Sequence, residues 1–72
     1  MTDSKRFNEM AQTRSLTRRA IANALGITES SLYNKVYNRT EFTASELIKL
    51  FELFDLRSIE EQNRIFFTSV VE

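Results

Sequence analysis

The only glycine in this chain, Gly26, stands between two stretches of helical periodicity, and no proline interrupts either of them. Glycine adopts the left-handed backbone conformation at low steric cost, so a glycine placed after a helical stretch ends it sharply. Upstream, Ile21, Ala22 and Leu25 share one helical face. Thr17 precedes them and offers a side-chain oxygen to the free N–H groups of a first turn. Downstream, Thr28 can do the same for a helix that carries Leu32 and Val36 one turn apart on its inner side. Two short helices, about Arg18 to Leu25 and about Glu29 to Asn38, therefore meet across Leu25-Gly26-Ile27-Thr28. Ala22 is small enough for the second helix to approach the first. Leu25, Ile27 and Leu32 fill the angle between them.

The rest of the chain reads as three more helices. Phe7, Met10 and Ala11 mark one from about Ser4 to Arg14. The loop Asn38 to Thr43 has Phe42 as its apolar anchor. Thr43-Ala44-Ser45-Glu46 has the capping-box spacing, a hydroxyl residue followed three positions later by glutamate. It opens a helix to about Phe54, with Leu47, Leu50, Phe51 and Phe54 along its inner face. Ser58-Ile59-Glu60-Glu61 repeats that spacing and predicts a last helix over about 59–70, with Ile59, Ile65, Phe66 and Val70 among its apolar residues. The expectation is an all-α fold of five short helices in a single domain over residues 1–72. With 72 residues the core is small, and tight packing or a partner subunit would add to it.

Composition narrows the chemistry. The chain has no cysteine and no histidine, which removes thiolate metal sites, disulfides and the commonest general base. It has no glycine-rich phosphate loop and no isolated carboxylate pair in an apolar setting. A deep pocket is hard to build in so short a chain. We therefore expect neither an enzyme nor a cofactor, metal or small-molecule substrate. Net charge is zero, but it is unevenly spread. Residues 1–40 carry seven basic and three acidic side chains, a net of +4; residues 41–72 carry three basic and seven acidic ones, a net of −4. Such asymmetry suits one half facing a polyanion, or else two ordinary solvated surfaces.

A short glycine-containing turn between two helices is the helix-turn-helix arrangement, whose second helix lies in the DNA major groove. Here Leu16-Thr17-Arg18-Arg19-Ala20-Ile21-Ala22-Asn23-Ala24-Leu25-Gly26-Ile27-Thr28 resembles the first half of the lambda-repressor/Cro-like helix-turn-helix. Ser31-Leu32-Tyr33-Asn34-Lys35-Val36 continues the likeness, as does Phe42-Thr43-Ala44-Ser45-Glu46-Leu47-Ile48-Lys49-Leu50. Over Leu16 to Phe54 the chain is similar to small Cro-like regulators of phages and prophages. Many members have an aliphatic residue where Lys35 stands; its methylene stem can cover the core edge while the ammonium reaches out.

The resemblance implies a sequence-specific regulator of transcription, a repressor, with Glu29 to Asn38 as recognition helix. Asn34 can pair bidentately with adenine, Glu29 can accept from a cytosine amino group, and Ser30 can meet several bases. Tyr33 and Tyr37 can touch a thymine methyl or a phosphate. Thr17 and Arg18 stand where free N–H groups and the helix dipole favour a phosphate. Arg19, Lys35 and Arg39 are further phosphate candidates, with Arg14 weaker. Each has a plainer alternative. Glu29 suits any helix N-terminus, the tyrosines can be ordinary half-buried aromatics, the arginines can be solvated, and Asn38 can simply end its helix.

A last helix bearing Phe67 and Val71 beside Phe66 and Val70 leaves one apolar face for a second subunit, if the monomer core does not absorb all four. A homodimer would match two half-sites about one DNA turn apart. The competing function is a helical protein-interaction module, such as an antirepressor or phage adaptor. Double-stranded DNA binding predicts a basic rim and a polar outward face; an interaction module predicts exposed apolar residues there. Met1 to Phe7 is polar, and no apolar run approaches the ~20 residues of a membrane span. The expected setting is therefore cytoplasmic, at the nucleoid of a bacterial or phage-infected cell.

Overall fold

The computed structural model describes residues 1–69, and every regular element in them is a helix. The order is α1 (Ser4–Thr13), α2 (Arg18–Leu25), α3 (Glu29–Val36), α4 (Ala44–Leu53) and α5 (Ile59–Phe66). All five begin alike. The side chains of Asp3, Thr17, Thr28, Thr43 and Ser58 accept the N–H of Arg6, Ala20, Ser31, Glu46 and Glu61 respectively. Each such cap contributes about 1 kcal/mol by satisfying a donor the helix cannot. At Thr43 and Ser58 the expected reciprocal bond from the glutamate is also made.

The first four helices end alike as well. The N–H groups of Leu16, Ile27, Arg39 and Leu56 reach back to the carbonyls of Ala11, Ala22, Asn34 and Phe51 at 2.8–3.0 Å. Each closure turns on one residue with positive φ: Ser15 (56°), Gly26 (72°), Asn38 (65°) and Asp55 (53°). Asn38 thus ends α3 rather than belonging to it, and the helix stops at Val36.

Phe7, Ile21, Leu32, Leu50 and Phe54 are completely buried, with Ala22, Leu25 and Val36 nearly so. Ala22 and Leu25 face Leu32 as the periodicity predicts. Ile59 does not follow its predicted place and is 73% exposed. It has the angular position of Phe66 but lies about two turns earlier, past the edge of what α5 packs against. Ile65 and Phe66 are buried.

Residues 1–3 form a strap that the periodicity of the chain does not announce. Thr2 donates its N–H to Asn38 Oδ1 (2.8 Å) and accepts from Asn38 Nδ2 (2.9 Å). Ser4 Oγ donates to the Val36 carbonyl at 2.8 Å. On the other side the Asp3 N–H reaches the Ile65 carbonyl, and the Thr68 N–H reaches the Met1 carbonyl. The end of α3 is thereby tied to the end of α5. That pairing replaces the helical bonding expected to run to about residue 70. The helix stops at Phe66, and Phe67 is its C-cap. Val70 and Val71 lie outside the described residues. No helix among the described residues is long and apolar enough to cross a membrane.

Lys35 also departs from expectation. Its ammonium turns inward to Glu46 Oε1 (3.0 Å) and the Glu41 carbonyl (3.0 Å), over the Phe42 ring. Only 12% of the Lys35 side chain and 11% of the Glu46 side chain remain exposed. The ammonium is committed to joining α3 to α4, so the phosphate role expected of it is withdrawn. Burial alone would raise the Glu46 carboxyl pKa. The Thr43 N–H, together with the hydrogen bond and charge of Lys35, outweighs burial and holds it below the ordinary 4.5.

Two predictions follow from these turns and pairs. A Cβ at Gly26 would meet nothing within 4 Å, so Gly26→Ala carries only the cost of the left-handed backbone. That is about 1–2 kcal/mol, and a urea midpoint should show it. A loss several times larger would mean that contact, not conformation, requires glycine there. For Glu46, a depressed folded pKa means stabilisation that is complete above the unfolded value and is lost as pH falls through the folded one. Glu46→Gln should cost about 1–3 kcal/mol at neutral pH, and the gap to wild type should close on acidification as the Glu46 carboxyl protonates below the ordinary carboxylate range. A gap independent of pH would show that the carboxylate charge is not what Lys35 needs.

Candidate nucleic-acid interface

With Leu32 and Val36 turned into the core, α3 presents Ser30, Tyr33, Asn34 and, at its C-cap, Tyr37 on its other sides. Glu29 and Ser30 are exposed in the first turn. Asn34 is half-buried, and its side-chain amide has no hydrogen-bond partner among the described residues. Tyr33 and Tyr37 are 41% and 38% exposed, with ring centroids 4.6 Å apart. Ser30, Tyr33, Asn34 and Tyr37 therefore lie away from the side of Leu32 and Val36, while Glu29, seven positions before Val36, is exposed on the Val36 side of the first turn.

The N-terminus of α2 lies against this surface. Arg18, the first residue of α2, places its guanidinium 5.9 Å from the centre of the Tyr33 ring and donates to the Tyr37 hydroxyl at 3.4 Å. Arg39, just past the end of α3, approaches the same Tyr33 ring at 5.7 Å. One aromatic ring thus holds two guanidinium groups beside the polar face of α3. Such contacts contribute about 0.5–1 kcal/mol at exposed sites. They also limit the rotamer freedom that long side chains would otherwise lose on binding an anion. Thr17 accepts from the Ala20 N–H and keeps its own hydroxyl proton to donate. Arg18, Arg19 and Arg39 are exposed and form no ion pair with a carboxylate among the described residues.

Of the five predicted phosphate residues, Thr17, Arg18, Arg19 and Arg39 are exposed, Arg18 and Arg39 beside Tyr33, while Lys35 is inside. Arg14 sits elsewhere, near Asp55. The hydrogen bond and charge of Arg57 hold the Asp55 carboxyl below its ordinary value, and the Arg14 charge adds to that effect. Asn8 was not expected at the surface around α3. Its amide nitrogen donates to the Tyr37 hydroxyl at 3.2 Å, bringing α1 to the edge of the patch. No local signal could have found it, because the two residues are 29 positions apart.

Phe67, expected at a subunit contact, is 52% exposed and rests one side against Phe51 at 6.5 Å. Its expected companion Val71 lies outside the described residues, and the helical spacing that grouped them does not extend past Phe66. Comparison of the chain with protein-family models, curated proteins and solved structures finds no match.

Proposed function

We propose that this protein binds double-stranded DNA sequence-specifically, through a helix-turn-helix of the lambda-repressor/Cro-like kind formed by α2 and α3. In this reading α3 is the recognition helix, and the protein acts as a repressor of the phage or prophage type. The observation that carries the reading is the surface of α3. A free amide at Asn34 and free groups at Glu29 and Ser30 lie beside guanidinium groups that no carboxylate neutralises. Unpartnered polar side chains suit base edges, and uncompensated cations on a rim suit phosphates. The half-exposed Phe67 leaves an apolar group for a second subunit, and a homodimer remains part of the proposal. A cytoplasmic, nucleoid-associated location follows from DNA as partner.

The exposed Tyr33–Tyr37 pair favours a second reading, a protein-interaction module. Fluorescence anisotropy with a random duplex and a library of neighbouring intergenic duplexes, at two salt concentrations, separates the two. Salt-sensitive binding with one preferred duplex is expected. Absence of binding at low salt by the folded protein would favour the interaction module.

Two substitutions test the roles. Asn34→Ala should erode sequence preference by about 1–3 kcal/mol at one base pair, leaving affinity for random DNA nearly unchanged. Equal loss on both duplexes would remove Asn34 from base reading. Arg18→Ala should weaken binding to every duplex and reduce the salt slope by about one. A slope equal to wild type would mean Arg18 displaces no counterion.

A further inference from the structure

The hydroxyl of Tyr37 lies between two donors. Asn8 Nδ2 donates to it from α1 at 3.2 Å, and Arg18 Nη2 donates from α2 at 3.4 Å. A phenolic oxygen so placed accepts twice and keeps its own proton. That proton meets no acceptor among the described residues. Asn8 retains its second amide hydrogen, and Arg18 retains most of its five. What these three side chains still offer at this point is chiefly donors, with Asn8 Oδ1 as the one remaining acceptor.

The donors are also held in place. The Tyr37 ring packs on Tyr33, and the Arg18 guanidinium lies over that same Tyr33 ring. Beside them runs a groove lined by Ser4, Lys5, Asn8, Glu9, Gln12 and Tyr37. Lys5 is exposed there and forms no ion pair among the described residues; Glu9 is the one carboxylate among the lining side chains.

We propose that Asn8 of α1, Arg18 of α2 and Tyr37 at the C-cap of α3 form an oxyanion site whose occupant is a phosphodiester of the DNA backbone. The occupant rests on the function proposed above; the donor cluster does not. Two non-bridging oxygens of one phosphodiester can accept from the hydroxyl, the amide and the guanidinium together. The assignment moves Tyr37 from base reading to backbone contact and extends the interface onto α1.

Tyr37→Phe removes the hydroxyl and keeps the ring; Asn8→Asp keeps the shape and replaces a donor by a negative charge. Circular dichroism confirms that each variant is folded, and anisotropy measures binding to the preferred and random duplexes across a salt series. Tyr37→Phe should weaken both duplexes alike by about 3- to 10-fold. Its salt slope should not change, because a neutral donor releases no counterion. Asn8→Asp should weaken them further, and the double variant should lose less than the two single losses combined. Separately, inorganic phosphate, compared with chloride at equal ionic strength, should shift the NMR signals of the Asn8 side-chain amide and Arg18 Nε–H in wild type, and less in Tyr37→Phe. If wild type binds DNA and both variants bind as well, the site is overturned while the DNA reading stands. Loss confined to the preferred duplex would overturn the phosphate assignment and return Tyr37 to base reading. Phosphate-induced shifts in a protein that binds no duplex would overturn the occupant and keep the oxyanion site. Neither shifts nor duplex binding would overturn both.

Discussion

Four phenylalanine rings converge on Phe66, and that convergence joins α1, α4 and α5 with the connection between α3 and α4. Phe7 from α1, Phe42 from the α3–α4 connection, and Phe51 and Phe54 from α4 and its cap all lie within 5.7–6.4 Å of its ring centre. Phe7 additionally meets Phe42 and Phe54. A short chain has few side chains with which to exclude water, so large ones must supply most of the buried area. Aromatic pairs of this kind add about 0.5–1.5 kcal/mol each beyond burial. The consequence for α2 and α3 is indirect. They need bury only Ile21, Ala22, Leu25, Leu32 and Val36 on this aromatic base, and the outward side of α3 contributes no residue to the core.

Formal charge alone would misplace the basic surface. Lys35 contributes to the positive half of the sequence, yet its charge is spent internally on Glu46. Arg6 is paired with Asp3 within its own first turn. What remains uncompensated beside α3 is Arg18 and Arg39, with Lys5 near Asn8 and Arg19 exposed on α2. The surface is therefore smaller than the +4 of residues 1–40 suggests, and it is concentrated around one tyrosine ring.

Helix starts were legible because their signal is local: a hydroxyl at Thr17, Thr28, Thr43 or Ser58 stands immediately before a periodic run. Asp3 does the same work, but the run it precedes was recognised from Phe7, Met10 and Ala11 alone. Helix ends were less legible, because of the four left-handed residues only Gly26 is glycine. Ser15, Asn38 and Asp55 accept that conformation in spite of their side chains, and nothing in their identity demands it. Asn and Asp tolerate it best. The strap was hidden for a different reason. Thr2 and Asn38 are 36 positions apart, and neither has a neighbour that hints at the other. Glu46 was read only as the glutamate of a capping box; that bond is made, and the same carboxylate also meets Lys35.

The end of α3 shows how the same local device serves two purposes. In α1, α2 and α4 the residue that completes the closing turn is apolar, Leu16, Ile27 or Leu56, and it packs on the core. Such a contact normally accompanies this closure and fixes the outgoing chain. In α3 the corresponding residue is Arg39, which is exposed and turns to the Tyr33 ring instead. The chain still needs an anchor there, and Asn38 supplies it by bonding both polar groups of Thr2. Anchoring is thus transferred from the residue after the turn to the residue within it. That transfer frees a guanidinium for the outer face of α3 without loosening the end of an eight-residue helix. A helix this short has little stability of its own. It can present an unpartnered polar surface because its cap at Thr28, its ion pair at Lys35 and its clamp at Asn38 all lie off that surface.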